Sequence, residues 1–212
     1  MYFLLATLFL LPSPTITHPL RFEPATVPSW NFIALGPKPG YATILNSCHY
    51  PLHVYSKPPQ NPLGITSLIP DTNATILPGA IHEEELHPAY SSSDVSFQVS
   101  RNPKSATQAT EFNYMLTAEG SVTYWMSVMH CTNPINKYDA DACPGHEAGL
   151  QAVGSDGKQG CDVLRCMPGQ ICMDTVTYTL SNPSRDVQCQ KGAGVAFEAC
   201  AGLRPFGGYY NQ

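Results

Sequence analysis

The sequence predicts an all-β protein, an antiparallel β-sandwich with a disulfide-rich, loop-rich C-terminal flank. Several short segments alternate apolar and polar residues with a period of two, which is typical of strands that bury one face. Pro (20 residues) and Gly (16 residues) are abundant and only 13% of the residues are charged, a composition that suits short strands joined by many turns. No apolar stripe with helical spacing is long enough for a helix of ordinary length. Strands of this kind are buried most simply as two packed sheets.

The first predicted strand region covers residues 42–55, which alternate throughout. Tyr50-Pro51 interrupts it, because proline cannot donate a hydrogen bond to a strand ladder. Two strands with a break at this point are therefore expected. The side chains predicted to share the core face are those of Ala42, Ile44, Cys48, Tyr50, Leu52 and Val54.

Four further segments show the same alternation, at residues 95–99, 112–116, 122–129 and 176–180. In each segment, β-branched or aromatic residues occupy every second position and polar residues occupy the positions between them. The stretches between them are rich in turn-forming residues. Residues 140–149 are expected to hold a turn of helix.

The N-terminus indicates secretion. Residues 1–17 combine a short apolar stretch with small residues at a cleavage site, which is the form of a signal peptide. Residues 18–39 contain five prolines and are predicted to be an extended arm, and residues 40–212 to be a single sandwich domain. The apolar stretch is too short to span a bilayer and no second one follows, so no membrane anchor is predicted.

The cysteines indicate an oxidising compartment. Their even number and the absence of a Cys-x-x-Cys pair favour four disulfides over a zinc or redox site, with 105 pairings open. Asn73-Ala74-Thr75 is a glycosylation sequon, predicted to lie on an exposed loop. The eight cysteines are Cys48, Cys131, Cys143, Cys161, Cys166, Cys172, Cys189 and Cys200.

The charge distribution excludes two classes of partner. The net charge is −5 and there is no basic run, so neither nucleic acid nor an anionic membrane surface is an expected partner. The sequence also lacks a nucleophile elbow, a phosphate-binding loop and a His-Glu-x-x-His motif. No cofactor is predicted.

Two groups of residues are candidates for catalysis. The acidic run Glu83-Glu84-Glu85, with Asp94 nearby, offers paired carboxylates for glycoside hydrolysis, although a solvated loop is the favoured interpretation. His18 would become the mature N-terminus if cleavage follows Thr17. A terminal amine and imidazole, with a second histidine, can then bind copper for oxidative attack on polysaccharides. His18 is therefore the candidate metal ligand.

The aromatic residues suggest a binding module. The chain has eleven tyrosines and two tryptophans, and flat aromatic faces stack on sugar rings while their polar tips hydrogen-bond. Trp125 is expected on the strand face opposite that of the expected core residues Tyr124 and Met126. We predict Trp125 as a ligand-binding residue, with burial in the core as the alternative.

The opening strand is similar to that of thaumatin-like proteins. In residues 42–52 a single cysteine follows an asparagine in a strand near the mature N-terminus, and Leu77-Pro78-Gly79 resembles the Leu-x-Pro-Gly turn that follows in that family. The resemblance implies the thaumatin-like β-sandwich. The family's acidic cleft of one Arg, one Glu and several Asp has no assignable counterpart here, so the resemblance implies the fold more than a glucanase activity.

A narrower likeness is to fungal secreted proteins named for the yeast-phase-specific protein of Blastomyces. A strand like residues 95–100 precedes a segment like residues 111–114 and a strand like residues 122–127, and the Cys-x-Pro-Gly element matches residues 166–169. This resemblance implies a secreted protein that faces a host or a cell wall.

The predicted function is therefore a secreted fungal thaumatin-like protein that is not an enzyme and binds a cell-wall glycan or a host protein, in the manner of an effector. The first alternative is a carbohydrate-active enzyme, either a glucan hydrolase or a copper oxygenase using His18. The second is a structural protein of a wall or matrix.

Overall fold

The computed structural model describes residues 35–58, 71–88, 94–104, 108–131, 142–157, 160–181 and 183–204. The predicted signal peptide, most of the predicted arm and His18 lie outside these ranges.

Twelve strands and two short 3₁₀ turns make up the regular structure of these ranges. The turns are His146–Ala148, which confirms the helical turn predicted in residues 140–149, and Ala201–Leu203. The strands are β1 (Tyr41–Asn46), β2 (Leu52–Lys57), β3 (Thr72–Ile76), β4 (Ile81–Glu85), β5 (Val95–Ser100), β6 (Ala109–Leu116), β7 (Val122–Ser127), β8 (Leu150–Ser155), β9 (Leu164–Cys166), β10 (Val176–Thr177), β11 (Val187–Cys189) and β12 (Gly194–Ala199).

The strands form two sheets, which confirms the predicted sandwich. The five-stranded sheet has the order β4-β1-β12-β8-β9, and the seven-stranded sheet has the order β10-β7-β6-β5-β2-β3, with β11 also paired to β7. Most pairs are antiparallel, but β1 with β12 and β7 with β10 are parallel, so the sheets are mixed. A parallel pair needs a long connection, and β1 and β12 lie at opposite ends of the described chain.

Aromatic rings from both sheets meet in the core. Phe197 of β12 stacks on Phe112 of β6 with ring centroids 5.0 Å apart, and the rings of Phe97 and Tyr124 contact it edge-on at 6.4 Å and 6.5 Å. All four side chains are fully buried. Rings of this size contribute a large share of the apolar area that a sandwich removes from water. Phe197 therefore lies at the centre of the packing between the sheets.

The expected core face of the opening segment is confirmed except at Tyr50. Tyr50 is only partly buried, because its hydroxyl donates to the Glu147 carboxylate and accepts a hydrogen bond from Arg101 Nη2 (2.9 Å) near the surface. The predicted break at Tyr50-Pro51 separates β1 from β2, and the two strands enter different sheets. The buried members of the expected face are Ala42, Ile44, Cys48, Leu52 and Val54.

All eight cysteines pair, which confirms the disulfide-bonded chain. The pairs are Cys48–Cys200, Cys131–Cys143, Cys161–Cys189 and Cys166–Cys172. The first joins the segment after β1 to the residue after β12 across a separation of 152 positions. The other three disulfides crosslink the C-terminal part of the chain, as expected for the disulfide-rich flank. That part also supplies β8 and β12, which lie inside the five-stranded sheet rather than beside it.

A buried ion pair fixes the end of β12. The Glu198 side chain is 0% exposed and accepts hydrogen bonds from Ser47 Oγ (2.5 Å), from the Gln151 amide and from Arg204 Nη2 (3.0 Å). Burial raises the pKa of Glu198, and the hydrogen bonds and the Arg204 charge offset only part of that rise. A buried carboxylate without partners would lower the stability of the fold. The contacts between Arg204 and Glu198 therefore favour the position of residues 200–204 against the sheet.

The hydroxyls of two tyrosines, the partly buried Tyr50 and the buried Tyr124, allow a prediction of how the fold responds to alkaline pH. Burial raises the pKa of the Tyr50 and Tyr124 hydroxyls from 10.0 to about 12, and the Glu147 carboxylate adds to the effect at Tyr50. A tyrosine with a raised folded pKa stabilises the fold below its unfolded pKa, and this contribution is lost as the pH rises through the folded pKa. We expect tyrosinate absorbance to rise in two phases, with exposed rings near pH ~10 and these two rings near pH 12 together with loss of structure. Tyr50→Phe and Tyr124→Phe should each reduce the late phase; a single phase near pH ~10 would contradict the assignment.

Candidate functional site

The face of the seven-stranded sheet that is turned away from the core carries a set of polar and aromatic side chains, half of them buried, that we call the polar face. Its members alternate along each strand with core residues, and the register places them side by side across β2, β5, β6 and β7. They are Tyr55, Lys57, Ser96, Gln98, Glu111, Asn113, Trp125 and Ser127.

The floor of the polar face is built from three side chains on the central strands. Gln98, Glu111 and Asn113 are 7%, 8% and 3% exposed. Gln98 Nε2 donates to Glu111 Oε1 (3.2 Å), and His130 Nε2 lies 2.9 Å from the same oxygen. The His130 side chain is about half exposed, at 48%. A carboxylate held between an amide and an imidazole is fixed in position, which favours directional hydrogen bonding.

Two aromatic side chains lie at opposite ends of the polar face. Trp125 on β7 is partly exposed and is paired with Asn113, while Tyr55 on β2 is partly exposed and is paired with Gln98. Three strand spacings and two residues along the strands separate Trp125 from Tyr55, which amounts to about 16 Å between their Cα atoms. An oligosaccharide can span this separation, whereas a single sugar cannot.

An open groove adjoins the polar face beyond β7. It has a volume of about 360 Å³, and its polar lining includes Asp162, Arg185, Asp186, Gln188 and Gln190. Gln188 is paired with Thr123, two residues before Trp125 on the same strand face. An ion pair joins Arg185 to Asp162 (3.4 Å), and burial raises the pKa of Asp186. The groove thus extends the polar surface past the tryptophan with hydrogen-bonding groups.

The acidic run does not form the solvated loop that we expected. Residues 83–85 belong to strand β4, so alternate glutamates point to opposite faces. Glu84 accepts hydrogen bonds from Ser56 Oγ (2.8 Å) and Thr72 Oγ1 (2.6 Å), and the ring of His82 lies 2.8 Å away. Burial alone would raise the pKa of Glu84, but the contacts with His82, Thr72 and Ser56 lower it overall. A glycosidase acid needs a raised pKa, so Glu84 is unsuited to that role.

Two of the described histidines have ordinary hydrogen-bond partners. His53 Nδ1 contacts Thr75 Oγ1 (3.0 Å) and His146 Nε2 contacts the Tyr178 hydroxyl (2.7 Å). Within the described ranges, no three His, Cys, Asp or Glu side chains are grouped so as to hold a metal ion. The copper hypothesis depends on His18, which those ranges do not include. In the same part of the chain, no helix has the length and apolarity to cross a membrane.

The structure places the predicted site residues unevenly. Trp125 lies on the polar face with a partly exposed side chain, and Asn73 is exposed on β3. The floor residues Gln98, Glu111 and Asn113 were not identified from the sequence. Gln98 and Asn113 are polar residues of predicted alternating segments and Glu111 directly precedes one, but only the strand register shows that the three are neighbours.

Comparisons with known proteins support the fold. No family model matches the chain, and no curated protein matches it. The structure is similar to the protein elicitor MoHrip2 from Magnaporthe oryzae, with a TM-score of 0.52, 18% identity and coverage of 76% of this chain and 98% of that one. It also matches the thaumatin-like xylanase inhibitor TLXI, with a TM-score of 0.43, 13% identity and coverage of 75% and 98%. The narrower likeness to the Blastomyces proteins stays a prediction, and the shared feature established here is the β-sandwich fold of the elicitor.

Proposed function

We propose that this chain is an extracellular, non-catalytic thaumatin-like protein of fungal type, and that its polar face binds a cell-wall polysaccharide. One observation carries the proposal: Trp125 and Tyr55 flank a floor of amide and carboxylate groups on a single sheet surface. Aromatic faces stack on sugar rings, and fixed amides and carboxylates hydrogen-bond to sugar hydroxyls. The separation of the two rings suits an extended chain of sugars.

The extracellular location is supported by the four disulfides and by the predicted signal peptide. Disulfides form and persist in oxidising compartments and are rare in the cytosol. A protein elicitor with the same fold is consistent with a chain that faces a host. A host protein is the competing ligand, and the experiment below separates it from a glycan.

The lack of catalysis is supported by the composition of the polar face. Glu111 is the single carboxylate among its eight members, whereas glycoside hydrolysis uses two carboxyl groups across the scissile bond. Glu111 is also engaged by Gln98 and His130, in contacts that fix its position. Binding without turnover is therefore the activity that the polar face supports.

The substitution Trp125→Ala tests the proposal. We expect the secreted protein to be depleted from solution by insoluble β-glucan or chitin, and Trp125→Ala to weaken this binding by about tenfold, or ~1.4 kcal/mol, because a stacking platform is lost. Tyr55→Ala should weaken it to a lesser degree. The measurement is a sedimentation isotherm with each polysaccharide.

Tyr41→Ala is the matched control, since Tyr41 is a partly exposed aromatic residue on the other sheet. It should bind as the wild type does. Equal binding by wild type and Trp125→Ala, with both folded, would refute the role of the polar face. Release of soluble sugars would refute the non-catalytic role, and capture of a host protein without any polysaccharide binding would refute the glycan as ligand.

A further inference from the structure

The two outer strands on one side of the sandwich differ in how they resist pairing with another chain. Strand β4 ends the five-stranded sheet and strand β3 ends the seven-stranded sheet, and in the described ranges neither has a strand on its outer side. An edge strand presents unpaired backbone groups that can template association, and proteins protect such edges with charge, proline or a cover. Strand β4 carries His82 and the acidic run, so it is protected by charge.

Strand β3 has no such protection in its own sequence. Its residues Thr72-Asn73-Ala74-Thr75-Ile76 carry no charge and no proline, and three of the five are β-branched. Leu77 follows directly with a side chain that is 60% exposed. An uncharged segment with high β propensity on a sheet edge is the pattern that favours edge-to-edge association.

The glycosylation sequon lies on this strand. Asn73 and Thr75 are both exposed and, being two residues apart, point to the same outward side. The strand register pairs Asn73 with Tyr55 and Thr75 with His53. The sequon is thus not on the loop that the sequence predicted but on the edge strand itself, where Asn73 is exposed.

We propose that Asn73 carries an N-linked glycan whose function is to cover the edge of β3 and keep the protein monomeric. A glycan is bulky and hydrated, and on this strand it blocks the approach of a second strand in the way that charge does on β4. The register also places it beside Tyr55, so it limits the part of the polar face nearest β3. The proposal is independent of which ligand the polar face binds.

The test uses the full chain secreted from a eukaryotic host. We expect peptide mass spectrometry to find glycosylated Asn73, and size-exclusion chromatography with light scattering to find a monomer. Asn73→Gln and Thr75→Ala each remove the sequon, so they should convert the monomer to dimers and larger species. Thr75→Ser keeps the sequon and is the matched control that should remain glycosylated and monomeric.

Thr75→Lys distinguishes edge protection from other effects of the glycan. It removes the sequon but places a charge on the same strand, so it should be unglycosylated and monomeric. Trimming the folded glycoprotein to a single sugar with an endoglycosidase gives the same comparison for a chain that has already folded, and should promote association. An unmodified Asn73, a monomeric Asn73→Gln protein, or association of Thr75→Lys would each overturn the proposal.

Discussion

Removal of the Cys48–Cys200 disulfide by Cys48→Ala/Cys200→Ala should lower the free energy of unfolding by about 5 kcal/mol, because the bond closes a very long loop of the unfolded chain. The two cysteines are separated by 152 positions and are buried. Small domains have total stabilities of only ~5 to 15 kcal/mol, so much of the variant should be unfolded without denaturant. Denaturant unfolding followed by circular dichroism measures the change.

The Cys166–Cys172 bond provides the comparison, since it spans only 6 positions. Its double alanine variant should lose about 2 kcal/mol, because a short loop has less entropy to restrict. The prediction is the ranking of the two variants. If the short-loop variant proved the less stable, the contribution of the Cys48–Cys200 bond would not come from restriction of the unfolded chain.

Phe197→Ala should lower the free energy of unfolding by about 3 to 5 kcal/mol, which is the range for truncating a buried phenylalanine. Phe197 is fully buried and its ring contacts the rings of Phe112, Phe97 and Tyr124 from the opposite sheet. Truncation leaves a cavity between the sheets that rigid aromatic neighbours fill poorly. The midpoint of chemical unfolding and the slope of the transition give the value.

Leu180→Ala is the control for Phe197→Ala, because the Leu180 side chain is 86% exposed. It should change stability by less than about 0.5 kcal/mol. A loss below ~1 kcal/mol for Phe197→Ala would mean that the core repacks around the cavity, and the central position assigned to β12 would then be wrong.

Alternation in the sequence predicted the strands that bury one face. β7 lies within a predicted segment and β1, β2, β5 and β6 each overlap one, and Tyr50-Pro51 separates the first two strands as expected. These strands can be recognised in the sequence because one side of each faces the core and the other carries polar residues. The disulfide-bonded C-terminal part was likewise predicted from cysteine spacing.

Two of the strands that the sequence did not predict, β8 and β12, lack alternation. All six residues of β12 are buried, and so are the first five residues of β8. Neither strand therefore has the alternation of buried and exposed positions by which a strand is recognised in a sequence. The sequence predicted a solvated loop for the acidic run because consecutive charges are typical of exposed segments. The run instead forms β4, because a strand at the edge of a sheet can also carry several charges. The polar face could not be assembled from the sequence, because cross-strand neighbours depend on a register that is set by tertiary pairing.

The place of β12 between β1 and β8 sets the order in which a newly made chain can mature. A nascent polypeptide exposes β1 to β11 first, and until residue 199 emerges β1 has only β4 beside it. Over the same interval Cys48 has no native partner, because Cys200 has not yet been made. Cys131 and Cys143 are already present and can form non-native disulfides with Cys48. The Cys48–Cys200 bond can therefore form only after the other six cysteines have been made, and correct oxidation draws on disulfide isomerisation, which takes seconds to hours. Host cells poor in isomerase are expected to accumulate this protein in scrambled form.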